Sequence, residues 1–93
     1  MTIQIIKLTT GEELIGDVES KGDYVIKQPC AVQMMMSRAD ASPSMSLIPY
    51  AFYVDKHTVT IPKQHVIWIG TPIDEMYNQY NKIFGTGIQL AGV

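Results

Sequence analysis

Residues 8–19 read LTTGEELIGDVE, a turn followed by a short alternating strand. The segment Ile3–Leu8 before the turn contains three β-branched isoleucines and predicts a first strand. In the strand after the turn, Leu14 and Val18 fall on one face and acidic residues fall on the other. Gly16 between them predicts a sharp bend or the close approach of another backbone. Two short strands joined this tightly predict an antiparallel sheet.

A third strand is predicted from the turn at residues 21–23 to about Met36. Apolar residues fall on one parity of this segment, which predicts that they share a face of the sheet: Tyr24, Ile26, Cys30, Val32, Met34 and Met36. Pro29 interrupts the segment. Because proline has no N–H to donate to a ladder, it predicts a bulge, a bend or an exposed edge. A long strand bent in its middle is typical of a small closed barrel.

Two further strands complete the predicted sheet. The remaining segment is predicted to contain a polar loop, a fourth strand, a turn and a fifth strand in two parts: residues 37–44, 45–54, 55–57, 58–61 and 65–70. Pro49 lies inside the fourth strand. Five short strands joined by tight turns predict a barrel or a sandwich, and the short chain favours a β-barrel over about residues 3–70.

The periodicity changes after the fifth strand. Apolar residues then recur at intervals of three and four, which places six of them on one stripe of a helix: Ile73, Met76, Tyr77, Tyr80, Ile83 and Phe84. A helix over about residues 72–84 is predicted, with Thr71 as N-cap, Pro72 as first helical residue and Gly85 as terminator. We expect the stripe to cover an opening of the barrel or a neighbouring subunit. Residues 85–93 form a tail without a clear pattern.

Composition restricts the classes of function. The chain has 93 residues, enough for a single domain, and its formal net charge of -2 gives no overall attraction to nucleic acid or to an anionic membrane. Hydrophobic residues make up 46% and charged residues 17%, which leaves apolar surface for a partner and favours an oligomer. Cys30 is the single cysteine, which excludes an internal disulfide and indicates the cytoplasm. The first residues resemble neither a signal peptide nor a membrane span, so no membrane partner is expected.

No motif indicates catalysis. His57 and His65 lack the Cys, Asp or Glu spacing of a metal site or a catalytic triad. The adjacent acidic pairs at residues 12–13 and 74–75 point in different directions and do not converge on one substrate bond. We therefore expect no enzyme activity, no metal and no cofactor. A site shared between subunits stays open as an alternative.

The order and spacing of two motifs resemble the Sm and Sm-like family. Residues 8–18, followed by GDYV at residues 22–25, resemble the first Sm motif, in which a turn glycine, a bend glycine and a loop aspartate recur. VTIPKQHVIWI at residues 59–69 resembles the second motif, a short hydrophobic strand, a turn and another strand. The resemblance covers about residues 3–70. With its helix after the last strand, the pattern is most similar to divergent Sm-like proteins of phages that infect marine cyanobacteria.

The resemblance implies a bent, five-stranded antiparallel Sm-like barrel whose fourth and fifth strands pair between subunits. Such pairing would build a homo-oligomeric ring, expected to contain about five to seven subunits. A ring also solves a physical problem, because an open five-stranded barrel has two unpaired edges. Pairing around a closed ring satisfies the backbone groups of both edges.

The resemblance further implies contacts to single-stranded RNA at loops around a pore. Where the first motif usually carries an RNA-contacting asparagine, this chain has Lys27 or Gln28, and where the second usually carries Arg-Gly it has Pro-Lys at residues 62–63. Lys56 and His57 also resemble the Lys-His step of the bacterial Sm-like RNA chaperone Hfq. That alignment shifts the second motif by several residues, so the two alignments exclude one another.

Two functions remain open for the ring. As an RNA-binding ring it would use Lys56, His57, Lys63 and Gln64 on loops at one face, with Arg38 on the opposite loop. The alternative for each of these residues is an ordinary solubilising role. As a protein-assembly or scaffold ring of phage type, it would present the three methionines at residues 34–36 to another protein. The alternative for the methionines is a place in the core or at a subunit contact.

Overall fold

The computed structural model describes residues 2–36 and 43–84. Six strands and one helix lie in these residues: β1 (Ile3–Leu8), β2 (Glu13–Lys21), β3 (Asp23–Met36), β4 (Pro43–Pro49), β5 (Thr58–Ile61), β6 (Val66–Gly70) and α1 (Asp74–Ile83). Short 3-10 turns at Asp55–His57 and Lys63–His65 precede β5 and β6. The molecule is mostly β, as predicted, with one helix near the C-terminal end.

The strands form one antiparallel sheet in the order β4-β3-β2-β1-β6, with β5 also paired to β3. The long strand β3 pairs with two different strands along its length. Its first part, from Tyr24 to Lys27, pairs with β5, and its second part, from Cys30 to Met36, pairs with β4. No pairing joins β5 to β6 in the described residues, so the sheet is open there.

β3 carries the predicted irregularity at Pro29. Ile15 of β2 lies opposite Cys30, whereas Asp17 lies opposite Lys27, so two steps along β2 correspond to three steps along β3. One extra residue on β3 is therefore accommodated in a β-bulge. Of the three alternatives that Pro29 predicts, the bulge is confirmed.

Gly16 faces this bulge at very short range. A Cβ atom at Gly16 would lie 2.7 Å from Cγ2 of Ile26 and 3.0 Å from the carbonyl oxygen of Lys27. Gln28 within the bulge has a φ of 52°, in the left-handed region. The close backbone approach predicted from the sequence is confirmed, because no larger residue fits at Gly16 without displacing β3.

The bulge overturns the prediction that one parity of β3 forms a single apolar face. Cys30 belongs to a buried cluster with Ile15, whereas Ile26 belongs to a different buried cluster with Leu14. Successive strand residues point to opposite faces, and one extra residue inverts this alternation. Ile26 and Cys30 therefore lie on opposite sides of the sheet although they are four residues apart.

α1 covers one face of the sheet. Met76 and Tyr80 are buried there against Ile3, Ile15 and Cys30. The helix therefore packs on the sheet of its own chain, and its stripe is narrower than predicted. Three of the six predicted stripe residues are substantially exposed: Ile73, Tyr77 and Ile83.

The other face of the sheet encloses a second core. Its buried members come from β1, β2 and β3: Ile6, Leu8, Leu14, Val18 and Ile26. Side chains from β5 and β6 pack on the same cluster: Val59, Ile61, Val66 and Ile69. β5 and β6 lie toward opposite ends of the sheet, so the sheet curls until both ends cover one core.

Two boundary predictions are wrong. The predicted fourth strand over residues 45–54 ends at Pro49. The two parts of the predicted fifth strand are separate strands, β5 paired with β3 and β6 paired with β1, which gives six strands where five were predicted. The helix begins at Asp74 with Ile73 as N-cap and without a side-chain cap, so Thr71 is not the cap. Pro72 is buried before the helix instead of occupying its first position.

Candidate RNA-contacting residues at the two ends of β5

The candidate residues of the second motif lie at opposite ends of β5. We call residues 62–65, between β5 and β6, the turn end, and residues 50–57, between β4 and β5, the loop end. Lys63 and Gln64 belong to the turn end, and Lys56 and His57 belong to the loop end. The four residues of β5 span about 13 Å, so the structure does not bring the two pairs together.

Residues of the first motif make hydrogen bonds to the backbone of the turn end. The backbone N–H of Lys63 donates to Oδ1 of Asp23 at 3.2 Å, which connects two turns separated by 40 residues in sequence. The N–H of Thr9 donates to the carbonyl oxygen of His65 at 2.9 Å. The side chains of Lys63 and Gln64 are exposed. Backbone contacts therefore position this turn, and its side chains are left facing solvent.

The loop end is built on an unusual backbone. Ala51, Lys56 and His57 have φ values of 52°, 58° and 47°, in the left-handed region that residues other than glycine rarely adopt. Backbone hydrogen bonds from Val54 to Ala51 and from His57 to Val54, at 3.0 and 2.7 Å, hold the loop in this shape. Strained backbone of this kind persists only when surrounding contacts enforce it.

The side chain of His57 helps to hold the backbone of the loop end in this conformation. Its Nε2 donates to the carbonyl oxygen of Tyr50 at 2.7 Å, which joins the two ends of the loop. Its ring centroid lies 5.6 Å from that of Phe84, just after α1. The imidazole is half-buried and its Nε2 is occupied, so His57 has a structural role at this position.

A pocket of about 370 Å³ opens beside His57. Four apolar side chains from β4, the loop end and the end of α1 complete its wall: Ile48, Pro49, Phe52 and Phe84. The imidazole is the one polar side chain in this wall. Such a surface suits an apolar group.

The remaining candidates are dispersed. Lys56 is exposed at the loop end, and its carbonyl oxygen accepts from Oγ1 of Thr58 at 3.0 Å. Lys27 lies opposite Thr58 on β3, and its Nζ is 3.9 Å from a carboxylate oxygen of Glu19. The negative charge of Glu19 therefore partly compensates the positive charge of Lys27. Arg38 lies outside the described residues.

The sequence reasoning missed two aromatic residues at the loop end. Phe52 is 70% exposed and Tyr53 is 80% exposed, and their rings contact edge to face with centroids 5.6 Å apart. The prediction of one strand over residues 45–54 leaves no loop to carry these two aromatic residues. Pro49 was the sequence signal that the strand ends before Tyr50 and Ala51, because proline cannot donate to the hydrogen-bond ladder of a sheet.

Buried ionisable groups lie beneath the loop end and are neutral at physiological pH. Burial raises the pKa of the Cys30 thiol to about 11. Burial, and to a lesser extent Cys30 and Asp17, raises the pKa of the Tyr80 phenol well above its usual value. Tyr80 Oη donates to the carbonyl oxygen of Gln28 at 2.8 Å and so ties α1 to the bulge. A thiol with a raised pKa is a poor nucleophile, so Cys30 acts as core.

Metal-binding clusters, membrane-spanning helices and similar known proteins are further features that can indicate function. In the described parts of the chain, no three His, Cys, Asp or Glu side chains are grouped so that they could hold a metal ion. Residues 2–36 and 43–84 contain no helix of the length and apolarity needed to cross a membrane. No protein-family model matches the chain, and no curated protein is significantly similar to it.

Proposed function

We propose that this protein is an Sm-like subunit that assembles with copies of itself into a ring and binds single-stranded RNA at the turn ends. The observation that carries the assembly proposal is the pair of sheet edges at β5 and β6. β5 pairs only with β3 and β6 only with β1 among the described strands, and the turn end joins the two. Each edge therefore has backbone N–H and C=O groups that are not paired with another described strand and can pair with a strand of another chain.

Copies of the chain can satisfy both edges at once. β5 has four residues and β6 has five, so the two edges are matched in length. In place of a contact between the predicted fourth and fifth strands, we propose that β5 of one copy pairs with β6 of the next, because these are the two parts of the predicted fifth strand and they have separate edges. The contact is heterologous, and a rotation that closes produces a ring. The curled sheet would then complete a barrel-like wall. We propose about five to seven subunits, as the Sm-like resemblance implies.

The second-motif alignment over residues 59–69 suits this topology better than the alternative. In that alignment a strand, a turn and a second strand follow one another, as β5, residues 62–65 and β6 do. The Hfq-type alignment starts from Lys56 and His57 instead. His57 is engaged with Tyr50 and Phe84, which further favours the first alignment.

The proposed RNA contacts are Lys63 and Gln64. Both side chains are exposed, and ring symmetry would repeat them once per subunit around one face. A few cations per subunit then become a positive annulus despite the net charge of -2 per chain. Lys56 and Lys27 are weaker candidates because Lys56 lies at the other end of β5 and Lys27 is near Glu19.

Assembly is tested by native mass spectrometry of the purified protein. We expect a single species at about five to seven times the 10.4 kDa chain mass. A protein that stays monomeric at micromolar concentration contradicts the ring.

RNA binding is tested on the same oligomer with short U-rich and A-rich RNA over a salt series. We expect salt-sensitive binding, and the double variant Lys63→Ala, Lys56→Ala should weaken it at least about tenfold without changing the oligomer mass. Among the single variants, Lys63→Ala should account for most of the loss. Unchanged affinity in the double variant rejects these residues as the RNA site.

A protein-assembly ring is the second candidate function. Met34 on β3 is 65% exposed, as an adaptable protein-binding residue would be, and the exposed pair Phe52 and Tyr53 adds apolar contact area. If the oligomer forms but binds no RNA even at low salt, the assembly role replaces the RNA role. We propose no catalytic activity for either ring.

A further inference from the structure

A large aromatic side chain lies partly uncovered at the edge of the sheet. Trp68 of β6 is 44% exposed, and it is the single tryptophan of the chain. β6 pairs with β1 on one side and with no described strand on the other. Such a residue at an unpaired strand edge suits a contact with another chain, because tryptophan is enriched among the residues that dominate the binding energy of interfaces.

The register of β1 and β6 shows on which face of the sheet Trp68 lies. Ile69 lies opposite Ile6, and both pack in the second core. Because neighbouring strand residues point to opposite faces, Trp68 and its partner Lys7 point to the face that carries α1. Ile5 has the same parity as Lys7 and packs against the cluster beneath α1, which agrees with this assignment.

Trp68 is the last member of a row of side chains that crosses three strands. Glu13 on β2 lies opposite Lys7 on β1, and their side chains form an ion pair at 3.4 Å. Lys7 in turn lies opposite Trp68 on β6. The next position of this row belongs to any strand that is added beside β6. That strand must place a side chain against the indole ring.

The strand β5 carries a side chain of suitable size for this position. Val59 and Ile61 pack on the second core, so Thr60 between them points to the opposite face, where it is exposed. When the inner residues of β5 and β6 continue one core across a subunit contact, Thr60 shares its face with Trp68. Threonine is short and β-branched, and aromatic and β-branched residues form favourable cross-strand pairs.

We infer that Trp68 of one copy packs on Thr60 of the next copy, so that a second copy of this chain covers the exposed indole ring. This contact rests on the proposed ring and names the side chains that would hold its subunits together. Thr58 lies on the same face of β5, but it is half-buried and its Oγ1 donates to the carbonyl oxygen of Lys56. Thr60 is therefore the more accessible partner.

Exchange of the two side chains tests the contact. Trp68→Thr should raise the protein concentration at which half of the ring dissociates by at least about tenfold, because the contact loses its largest apolar side chain. Thr60→Trp should raise it by at least about tenfold as well, since two indole rings then compete for one position. The double variant restores one large and one small side chain and should dissociate within about threefold of wild type. Native mass spectrometry over a dilution series measures all four proteins.

Tyr77→Ala is the matched control. Tyr77 is an aromatic residue with a similar exposed fraction of 41%, but it belongs to α1 and to neither strand. The control should dissociate as wild type does. If Trp68→Thr also dissociates as wild type does, the contact is overturned while the ring stands. A double variant that is no more stable than the weaker single variant likewise overturns it. A monomeric wild type rejects the ring, and the contact with it.

Tryptophan fluorescence covers the case in which a variant does not fold. Because Trp68 is the single tryptophan, the emission of the wild-type protein reports on this side chain alone. On dilution from ring to monomer, the emission should shift to longer wavelength, and the acrylamide quenching constant should rise at least about twofold, because the core of an interface excludes solvent. An equal quenching constant for ring and monomer overturns the contact.

Discussion

The two ends of β5 carry similar residues and use them differently. At the loop end, the His57 ring is hydrogen-bonded to the Tyr50 carbonyl and packed near Phe84. At the turn end, the His65 side chain is exposed, and its backbone accepts from the N–H of Thr9 and donates to the carbonyl oxygen of Pro62. One histidine is part of the fold, and the other is a surface residue.

The histidine of the Lys-His step at residues 56–57 therefore has a structural task, which the sequence pattern does not reveal. The loop end requires its histidine because three residues there have left-handed backbone, which the surrounding contacts must enforce. The turn end is positioned by Asp23 through a backbone hydrogen bond, so its side chains are not needed for the shape of the turn. Exposed side chains on a fixed backbone are suited to binding.

The largest expected effect comes from the bulge beneath the loop end. Gly16→Ala should lower the free energy of unfolding by about 1–3 kcal/mol, because the new Cβ would overlap Ile26 and approach the carbonyl of Lys27. Gly70→Ala is the matched control, since its Cβ would meet Trp68 at an ordinary 3.8 Å. Urea denaturation measures both variants, and equal stabilities would show that β3 adapts at no cost.

The two histidines provide the next test. His57→Ala should lower the free energy of unfolding by about 1–2 kcal/mol, because the Tyr50 carbonyl loses its donor and Phe84 loses a packing partner. His65→Ala should change it by less than about 0.5 kcal/mol. Thermal denaturation of both variants is the measurement. Similar losses for the two would remove the distinction between the ends of β5.

The smallest expected effect concerns the support of the turn end. Asp23→Ala should lower the free energy of unfolding by about 0.5–1 kcal/mol, because the N–H of Lys63 loses an exposed acceptor that water partly replaces. Asp23→Asn keeps an acceptor oxygen and should restore most of the loss. Denaturant titration of the three proteins measures this, and an alanine variant as stable as wild type would mean that the turn needs no side-chain support.

Several elements follow from the sequence because their signals are local. Alternation around Leu14 predicts β2, three- and four-residue spacing predicts α1, and Pro29 predicts an irregular β3. Gly16 is predicted as a close approach, and the structure confirms it. Lys63 and Gln64 are identified as exposed loop residues from the turn before β6.

Local patterns are enough to predict a mostly β chain with a helix after its last strand, because hydrophobic period and turn residues act within a few positions. The placement of Ile26 and Cys30 in different cores follows from the folded sheet, since one extra residue in β3 inverts the alternation of side chains. The fold likewise makes His57 a support of the loop end and leaves Lys63 facing solvent. Those roles depend on Tyr50, Phe84 and Asp23, which the fold brings to their partners across 7, 27 and 40 positions of sequence.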